Sequence, residues 1–185
     1  MITESRTIYE SLEELISDKY GAMVGDIVLV SENSETEKAP YVAAHKEKGT
    51  GNLILVRKNI MADYRPMQDG DFDLLKWLDN DFKKGILEYL PEKFHSNVGL
   101  VSIPSIREVF GKDKFGTHSD GEQFDWFKDP INRIAILEGE EHSDWYWLRD
   151  VVSATGFADV GNYGDASYSG ASGADIGVRP AFGIS

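Results

Sequence analysis

The sequence predicts one α+β domain, with two or three helices, an antiparallel sheet and long irregular loops. Short β-branched runs separated by turn signals predict strands, and apolar residues spaced three or four apart predict helices. The chain has 185 residues and is 41% hydrophobic, which is enough for one sizeable core. We expect a single domain over 1–185, comprising an N-terminal helix at 1–21, a helix and sheet body at 22–140 and a terminal segment at 141–185.

The first predicted helix begins at a possible capping box. Thr7 and Glu10 have the spacing with which a hydroxyl and a carboxylate satisfy free backbone N–H groups. Apolar residues then fall on one helical face, at Ile8, Leu12, Leu15 and Ile16. Gly21 is a plausible end of this helix, which we expect to pack on a sheet.

Three short apolar runs predict an antiparallel meander. Residues 26–31, 41–46 and 53–57 are rich in β-branched or apolar side chains. A turn signal, Gly-Thr-Gly-Asn at 49–52, separates the second run from the third. We expect the third strand to be central in the sheet.

The middle of the chain alternates helix and strand signals. An apolar stripe predicts a second helix over 69–89, and 98–103 is a strand candidate. Residues 104–110 predict a short helix that ends at Gly111, and 133–137 is a further strand candidate. Six glycines between 156 and 177 interrupt the periodicity, so long loops or short hairpins are expected there.

Charge and composition exclude several function classes. The net charge of −13 disfavours direct binding to nucleic acid and to anionic membranes. There are no cysteines, so disulfides, cysteine nucleophiles and thiolate metal sites are ruled out. No apolar run spans a bilayer and the N-terminus has no signal pattern. We expect no membrane insertion, and a location in the cytoplasm or in a phage particle.

The sequence offers only weak signals for a metal or a catalytic centre. A His-Ser-Asp tripeptide occurs at 118–120 and again at 142–144, and the two copies could supply metal ligands or form only paired surface turns. Residues 69–73 look like a calcium loop but lack its later ligands, so they are interpreted as an acidic helix start. The hydrolase elbow G-x-S-x-G and the phosphate loop are absent. No cofactor or catalytic residue is predicted, and metal binding is left open.

Aromatic and basic residues near the end are interpreted as structural. In a strand, Trp145 and Trp147 would share one face and Tyr146 the other, which favours burial of both tryptophans. Eight acidic residues accompany only Arg149 and Arg179 between positions 138 and 185. Arginines so outnumbered form salt bridges or bind carbonyl groups in a fork.

The tract at 162–169 has a different composition. Tyrosine with Ser, Gly, Asn and Asp is typical of adaptable binding loops, although an ordinary surface hairpin is equally consistent. We interpret the loops between 154 and 175 as a binding surface. Its predicted ligand-binding residues are Tyr163 and Tyr168 as anchors, with Asp159, Asn162 and Asp165 as polar contacts.

The chain resembles an uncharacterised bacterial and phage domain family that ends in W-W-L-R-S-P and G-V-R-P-A. The matching residues are W-Y-W-L-R at 145–149 and G-V-R-P-A at 177–181. Weaker likeness occurs in the K-W-L-D-N-D-F run at 76–82, in the G-L-V-S run at 99–102 and in the G-D-I-V run at 25–28. Asp150 departs from the family's Ser-Pro, so the path of the chain after Arg149 is open.

That ending is similar to C-type-lectin-like domains, which include phage tropism proteins and formylglycine-generating enzymes. The resemblance implies a compact fold in which a G-x-R-x-A strand supports a variable surface. The formylglycine activity does not transfer, because it uses cysteines, and the calcium-sugar motifs E-P-N and W-N-D are absent. Fold alone does not establish function.

The leading hypothesis is a non-enzymatic binding module, phage- or prophage-associated, that recognises a protein or a glycan. The first alternative is an acidic inhibitor that mimics nucleic acid and blocks a basic groove of a host or defence protein. The second is a hydrolase with an unrecognised carboxylate pair. Steep salt dependence of binding favours the inhibitor, and clustered carboxylates with raised pKa values favour the hydrolase. The oligomeric state is not predicted.

Overall fold

A computed structural model describes residues 6–185 and shows a mixed α and β architecture with mainly antiparallel sheets. The strands are β1 (Ile8–Tyr9), β2 (Ile27–Ser31), β3 (Lys38–Lys46), β4 (Leu53–Arg57), β5 (Gln68–Asp69), β6 (Phe72–Asp73), β7 (Val98–Ser102), β8 (Ala135–Ile136), β9 (Ser143–Asp144), β10 (Tyr146–Ser153), β11 (Gly156–Val160), β12 (Ala166–Gly170) and β13 (Ala181–Ile184). The helices are α1 (Leu12–Ser17), α2 (Leu74–Trp77), α3 (Lys83–Glu88) and α4 (Ile106–Phe110). The predicted α+β class is confirmed at this level.

The largest sheet has six strands in the order β1-β2-β3-β4-β13-β7. The predicted meander of β2, β3 and β4 is confirmed, because both pairings are antiparallel. The last strand of the chain, β13, enters between β4 and β7, with Phe182 opposite Leu55 and Val101. β13 is therefore an interior strand of the sheet, next to the edge strand β7.

The N-terminal prediction was wrong in its start and its length. Residues 1–5 lie outside the described part of the chain, and Ile8–Tyr9 is a strand parallel to β2. The backbone N–H of Thr7 donates to Asp26 Oδ1 (3.0 Å) instead of beginning a helix. The helix N-cap is Ser11, whose Oγ accepts from the Glu14 N–H (3.2 Å). A pattern with helical spacing thus became a strand followed by a short helix.

The second predicted helix also starts later than expected. Strands β5 and β6 form a hairpin around Gly70, whose φ of 57° suits glycine. The acidic run at 69–73 is therefore mainly a turn, and only its last residue, Asp73, caps a helix. From Leu74 the helix continues through a π-helical turn, Leu78–Phe82, into α3.

The glycine-rich tail takes one of its two expected forms, short hairpins rather than long loops. Strands β10, β11 and β12 make a three-stranded antiparallel sheet, and β11 and β12 occupy most of residues 156–170. The strand expected at 133–137 shrinks to β8, because Pro130–Arg133 is a 3₁₀ turn. The helix predicted at 104–110 is confirmed as α4, with a Ser105–Glu108 capping box.

Two apolar clusters hold the molecule together. Tyr41 and Ala43 of β3 enter one cluster, while Val42 and Ala44 enter the other, as alternation along a strand requires. The three-stranded sheet contributes to both clusters, through Trp147 and Tyr146 respectively. The terminal segment is therefore packed into both cores.

Candidate functional site

The two terminal motifs lie side by side and form what we call the terminal frame, residues 145–149 and 177–182. The Trp147 N–H donates to the Gly177 carbonyl (3.0 Å), and the Gly177 N–H donates to the Trp145 carbonyl (2.9 Å). Gly177 is required at this crossing, because a Cβ there would lie 2.1 Å from Ile60 Cγ2. The motifs that looked distant in sequence are thus one structural unit.

Arg179 is the buried centre of the terminal frame. Its Nε donates to the Arg57 carbonyl (2.8 Å) and its Nη2 to the Lys58 carbonyl (3.1 Å). Its Nη1 lies 3.3 Å from the hydroxyl oxygen of Tyr146, whose own O–H donates to the Arg133 carbonyl (2.7 Å). Burial lowers the pKa of Arg179 below its usual value. The side chain joins β4 to the 3₁₀ turn and to β10.

Arg149 is held by carboxylates, in contrast to Arg179. Its two terminal nitrogens donate to both oxygens of Glu108 (2.7 and 2.8 Å), which is a bidentate pair. The same side chain also donates to the Ile103 carbonyl and to Asp120 Oδ1, each at 2.8 Å. It therefore fastens β10 to α4. Asp150, the departure from the family pattern, accepts from the Ile106 N–H (2.6 Å) at the start of that helix.

The aromatic block differs from the expected alternation. Trp147 is fully buried and its Nε1 donates to the Arg65 carbonyl (2.8 Å). Trp145 precedes β10 and is only partly buried, while Tyr146 is fully buried in the other core. Both faces of this strand are covered, so Tyr146 is an interior residue as much as Trp147 is.

Tyr163 stands at the tip of the hairpin between β11 and β12. The loop is Asn162-Tyr163-Gly164, closed by the Gly161 N–H donating to the Asp165 carbonyl (2.8 Å). Gly164 has a φ of 82°, as the third residue of such a loop requires. The Tyr163 side chain is 83% exposed. Local turn chemistry thus presents an aromatic ring to solvent, between the part-buried Asn162 and the exposed Asp165.

Tyr168 lies in the middle of β12 and shares its surface with a residue that the sequence interpretation missed. Tyr168 is 57% exposed and meets Phe115 edge to face, with ring centroids 5.2 Å apart. Phe115 is itself 43% exposed and has a φ of 58°, which is rare for a bulky side chain. We call Phe115, Tyr163 and Tyr168 the tyrosine surface. An aromatic residue inside the polar loop at 112–130 was the available signal for Phe115.

Asp159 does not reach the tyrosine surface, and its predicted role as a polar contact is wrong. It is fully buried in β11, and its Oδ2 accepts from the Ser169 hydroxyl at 2.6 Å. Its Oδ1 has no hydrogen-bond partner within residues 6–185. Burial raises the pKa of Asp159 to about 6, and the charge of Asp165 adds to the rise while the Ser169 hydrogen bond opposes it.

A separate groove of about 610 Å³ lies at the edge of the six-stranded sheet. Leu100, which is exposed, and Gly183 form part of its lining together with the π-helical residues Asp79 and Asn80. Arg149 also lines it, although that side chain is already occupied by Glu108 and Asp120. The groove is apolar with a polar rim, and sequence periodicity alone did not indicate it.

The histidines are not gathered into one centre. His45 lies between two carboxylates, with Nε2 3.0 Å from Glu122 and Nδ1 3.1 Å from Asp125. His118 lines a small polar pocket, whereas His142 has Glu140 as its charged neighbour (3.9 Å). Across residues 6–185, no three His, Asp or Glu side chains are grouped so as to hold a metal ion. The two His-Ser-Asp repeats therefore do not form a shared site in the described chain.

The comparisons place this architecture in a family without an assigned activity. The family described as "Domain of unknown function (DUF6273)" matches residues 92–185, and the chain belongs to that family. The match contains β7 to β13, and so the terminal frame and the tyrosine surface. No curated protein and no solved structure matches the chain. In the described part of the chain, no helix combines the length and the apolar character that crossing a membrane requires.

Proposed function

We propose that this member of the DUF6273 family is a non-enzymatic binding module whose tyrosine surface recognises a protein or a glycan. One observation supports this most directly. Tyr163 and Tyr168 are exposed in the same hairpin, where a buried frame holds the neighbouring strands. Exposed tyrosines supply contact area at low entropy cost, which is why binding loops are rich in them.

The rigid support is as important as the exposed rings. Strand β11, which carries the hairpin, is buried along its whole length and pairs with β10 of the terminal frame. A ring on a fixed backbone loses less freedom on binding than a ring on a mobile loop. Asn162 and Asp165 are the polar contacts of this proposal.

For the setting, we propose a C-type-lectin-like fold and a phage or prophage origin. The fold is supported by the Gly177-x-Arg179-x-Ala181 segment. Gly177 bonds to the β10 motif, and Ala181 begins β13, an interior strand of the six-stranded sheet. The origin is supported only by the resemblance of the two terminal motifs. A solved structure whose strand order differs from that of lectin-like domains would contradict the fold proposal, and the neighbouring genes test the origin.

The test is a binding screen of the intact protein against a glycan array and a library of displayed linear peptides. We expect hits whose affinity falls at least tenfold when Tyr163→Ala and Tyr168→Ala are combined. Truncation of well-packed aromatic contacts commonly costs this much binding energy. Hits that bind the double variant as well as the wild type would contradict the proposal.

A control variant separates the tyrosine surface from other exposed aromatic residues. Tyr20 is 79% exposed but lies outside the matched family region. We expect Tyr20→Ala to retain the affinity of the wild type. Loss of binding in this variant would assign recognition to a different face.

Salt separates this proposal from the acidic-inhibitor alternative. Recognition by aromatic rings should change little between low and physiological salt, because it depends on buried apolar area. Binding through the net charge of −13 should weaken steeply over the same range. A steep salt dependence that persists in the tyrosine double variant would favour the inhibitor.

A further inference from the structure

We propose that the outer edge of β12 binds an extended peptide of a partner protein as a fourth strand of the three-stranded sheet. This inference rests on the proposed function and names its partner as a peptide rather than a glycan. In such strand addition, backbone hydrogen bonds give affinity and alternate side chains give specificity. Tyr168 would supply the side-chain contact beside the added strand.

The register shows which backbone groups of β12 face outwards. β12 pairs with β11 without a bulge, and the Ala171 N–H donates to the Thr155 carbonyl (2.8 Å) one residue beyond the strand. Since bonded and non-bonded pairs alternate in an antiparallel ladder, Ser167 and Ser169 bond towards β11. Ala166 and Tyr168 then direct their N–H and C=O groups away from the sheet. Neither residue has another backbone partner in the chain from 6 to 185.

The other long edges of the two larger sheets carry hydrogen bonds to neighbouring segments. Along β7, Asp79 Oδ1 accepts the Val101 N–H (3.0 Å). Along β10, the Trp147 and Arg149 N–H groups donate to the carbonyls of Gly177 and Pro104 (3.0 and 3.1 Å). The remaining edge, β1, is only two residues long. β12 therefore stands out as a five-residue edge that is still available for pairing.

β12 also lacks the features that normally prevent pairing at an edge. Its sequence, Ala-Ser-Tyr-Ser-Gly, contains no proline and no charged residue. The five pairs with β11 are regular, so no bulge twists the edge away. A regular edge strand without protective residues, which also carries an exposed aromatic ring, is suited to accepting another strand.

Charge decides between a partner peptide and a second copy of the chain. Each copy carries a net charge of −13, and two like-charged copies repel when their edges approach. A neutral or basic segment is not repelled. The occupant is thus an extended, neutral or basic peptide with β-branched or aromatic residues that can pack beside Tyr168 and Phe115.

The experiment uses linear peptides selected on the intact wild-type protein from a displayed library of random sequences. Ala166→Pro removes an outward N–H while leaving the bonds to β11, and Ala166→Val is a reference of similar size that retains the N–H. We expect the selected peptides to bind A166P at least tenfold more weakly than A166V. In the complex, hydrogen exchange at the Ala166 and Tyr168 amides should slow markedly, and amides already bonded within the sheet should change little.

Three outcomes overturn the inference, each in a distinguishable way. If no linear peptide is selected but glycans bind in a tyrosine-dependent manner, the proposed function stands and strand addition falls. The same holds if selected peptides bind A166P and A166V equally well while losing affinity for the tyrosine double variant. If the two amides become protected only as protein concentration rises, without peptide, the edge pairs with a second copy.

Discussion

Tyr146 lies in β10 and Tyr163 in the loop between β11 and β12, and the two tyrosines of this three-stranded sheet have opposite environments. Tyr146 is fully buried, and its hydroxyl both donates to the Arg133 carbonyl and accepts from Arg179. Tyr163 is exposed at a turn whose shape depends on glycine rather than on the tyrosine. The terminal frame is thus held by satisfied interior bonds, whereas we expect the exposed tyrosines to tolerate substitution without loss of the fold.

The largest effect should come from removing the guanidinium of the terminal frame. In Arg179→Met, the buried carbonyls of Arg57 and Lys58 lose their donor. Because these buried groups would be left unsatisfied, we expect the free energy of unfolding, measured in urea, to fall by about 3–5 kcal/mol. Arg179→Lys should cost nearly as much, because an ammonium cannot reproduce the fork. A loss under about 1 kcal/mol in either variant would show that the frame does not depend on this residue.

The next effect tests the crossing of the two motifs. In Gly177→Ala, the new Cβ would lie 2.1 Å from Ile60 Cγ2 and 3.0 Å from the Trp145 carbonyl oxygen. We expect about 2–4 kcal/mol of destabilisation from this overpacking. The matched control is Gly170→Ala, where the nearest atom is 4.0 Å away and φ is not positive. Similar unfolding curves for the two variants would contradict the close approach.

A smaller effect, a gain in stability, is expected at Asp159, which lies between the terminal frame and the tyrosine surface. The carboxyl of Asp159 has a pKa of about 6 in the folded protein against 3.8 unperturbed, so the folded state binds the proton more tightly. Stability should therefore fall as pH rises from about 4 through 6. Asp159→Asn removes the charge and can keep an acceptor for Ser169. We expect it to stabilise the protein by about 1–3 kcal/mol at pH 7.

Asp165→Asn should give an intermediate pH dependence, because the charge of this exposed neighbour contributes to the raised pKa of Asp159. Unfolding free energies from pH 4 to 8 should be flatter for the Asp159 variant than for the wild type or for the Asp165 variant. Parallel curves for all three proteins would mean that Asp159 does not titrate in this range.

The smallest effect on stability should come from the tyrosine surface. Tyr163→Ala removes an exposed side chain, and Tyr168→Ala also removes the contact with Phe115. We expect the double variant to lose no more than about 1 kcal/mol, seen as a small change in Tm, while binding falls. A large drop in Tm would instead make these rings part of the interior framework.

Local signals in the sequence were sufficient for several elements. The meander of β2 to β4 followed from β-branched runs and a turn signal, and α4 followed from the run at 104–110 and its end at Gly111. Helical spacing gave a wrong prediction for residues 8 and 9, because Ile8 and Tyr9 pair with β2 in the sheet and do not form a helical turn with the residues next to them. Pairing partners far along the chain override local periodicity whenever they bury more surface.

The candidate site divides in the same way. The exposure of Tyr163 agrees with the loop composition at 162–169, because small polar residues and glycine around a tyrosine favour a surface turn. The burial of Asp159 was not predictable, because a single carboxylate among Phe157, Ala158 and Val160 does not show whether its strand will be covered on both faces. The contact of Phe115 with Tyr168 and the free edge of β12 were also unpredictable, since each depends on which segments meet in space.

By itself, the sequence determined the α+β composition, the turns at glycine and the presence of two arginines among many acids. These depend on backbone conformation and on residue chemistry, which act over a few positions. Contacts between distant segments place β13 beside β4, bind Arg179 to carbonyls and Arg149 to carboxylates, and leave the outer edge of β12 without a strand partner within residues 6–185. Burial and pairing are properties of segments brought together from distant parts of the chain, and local sequence does not encode their distances.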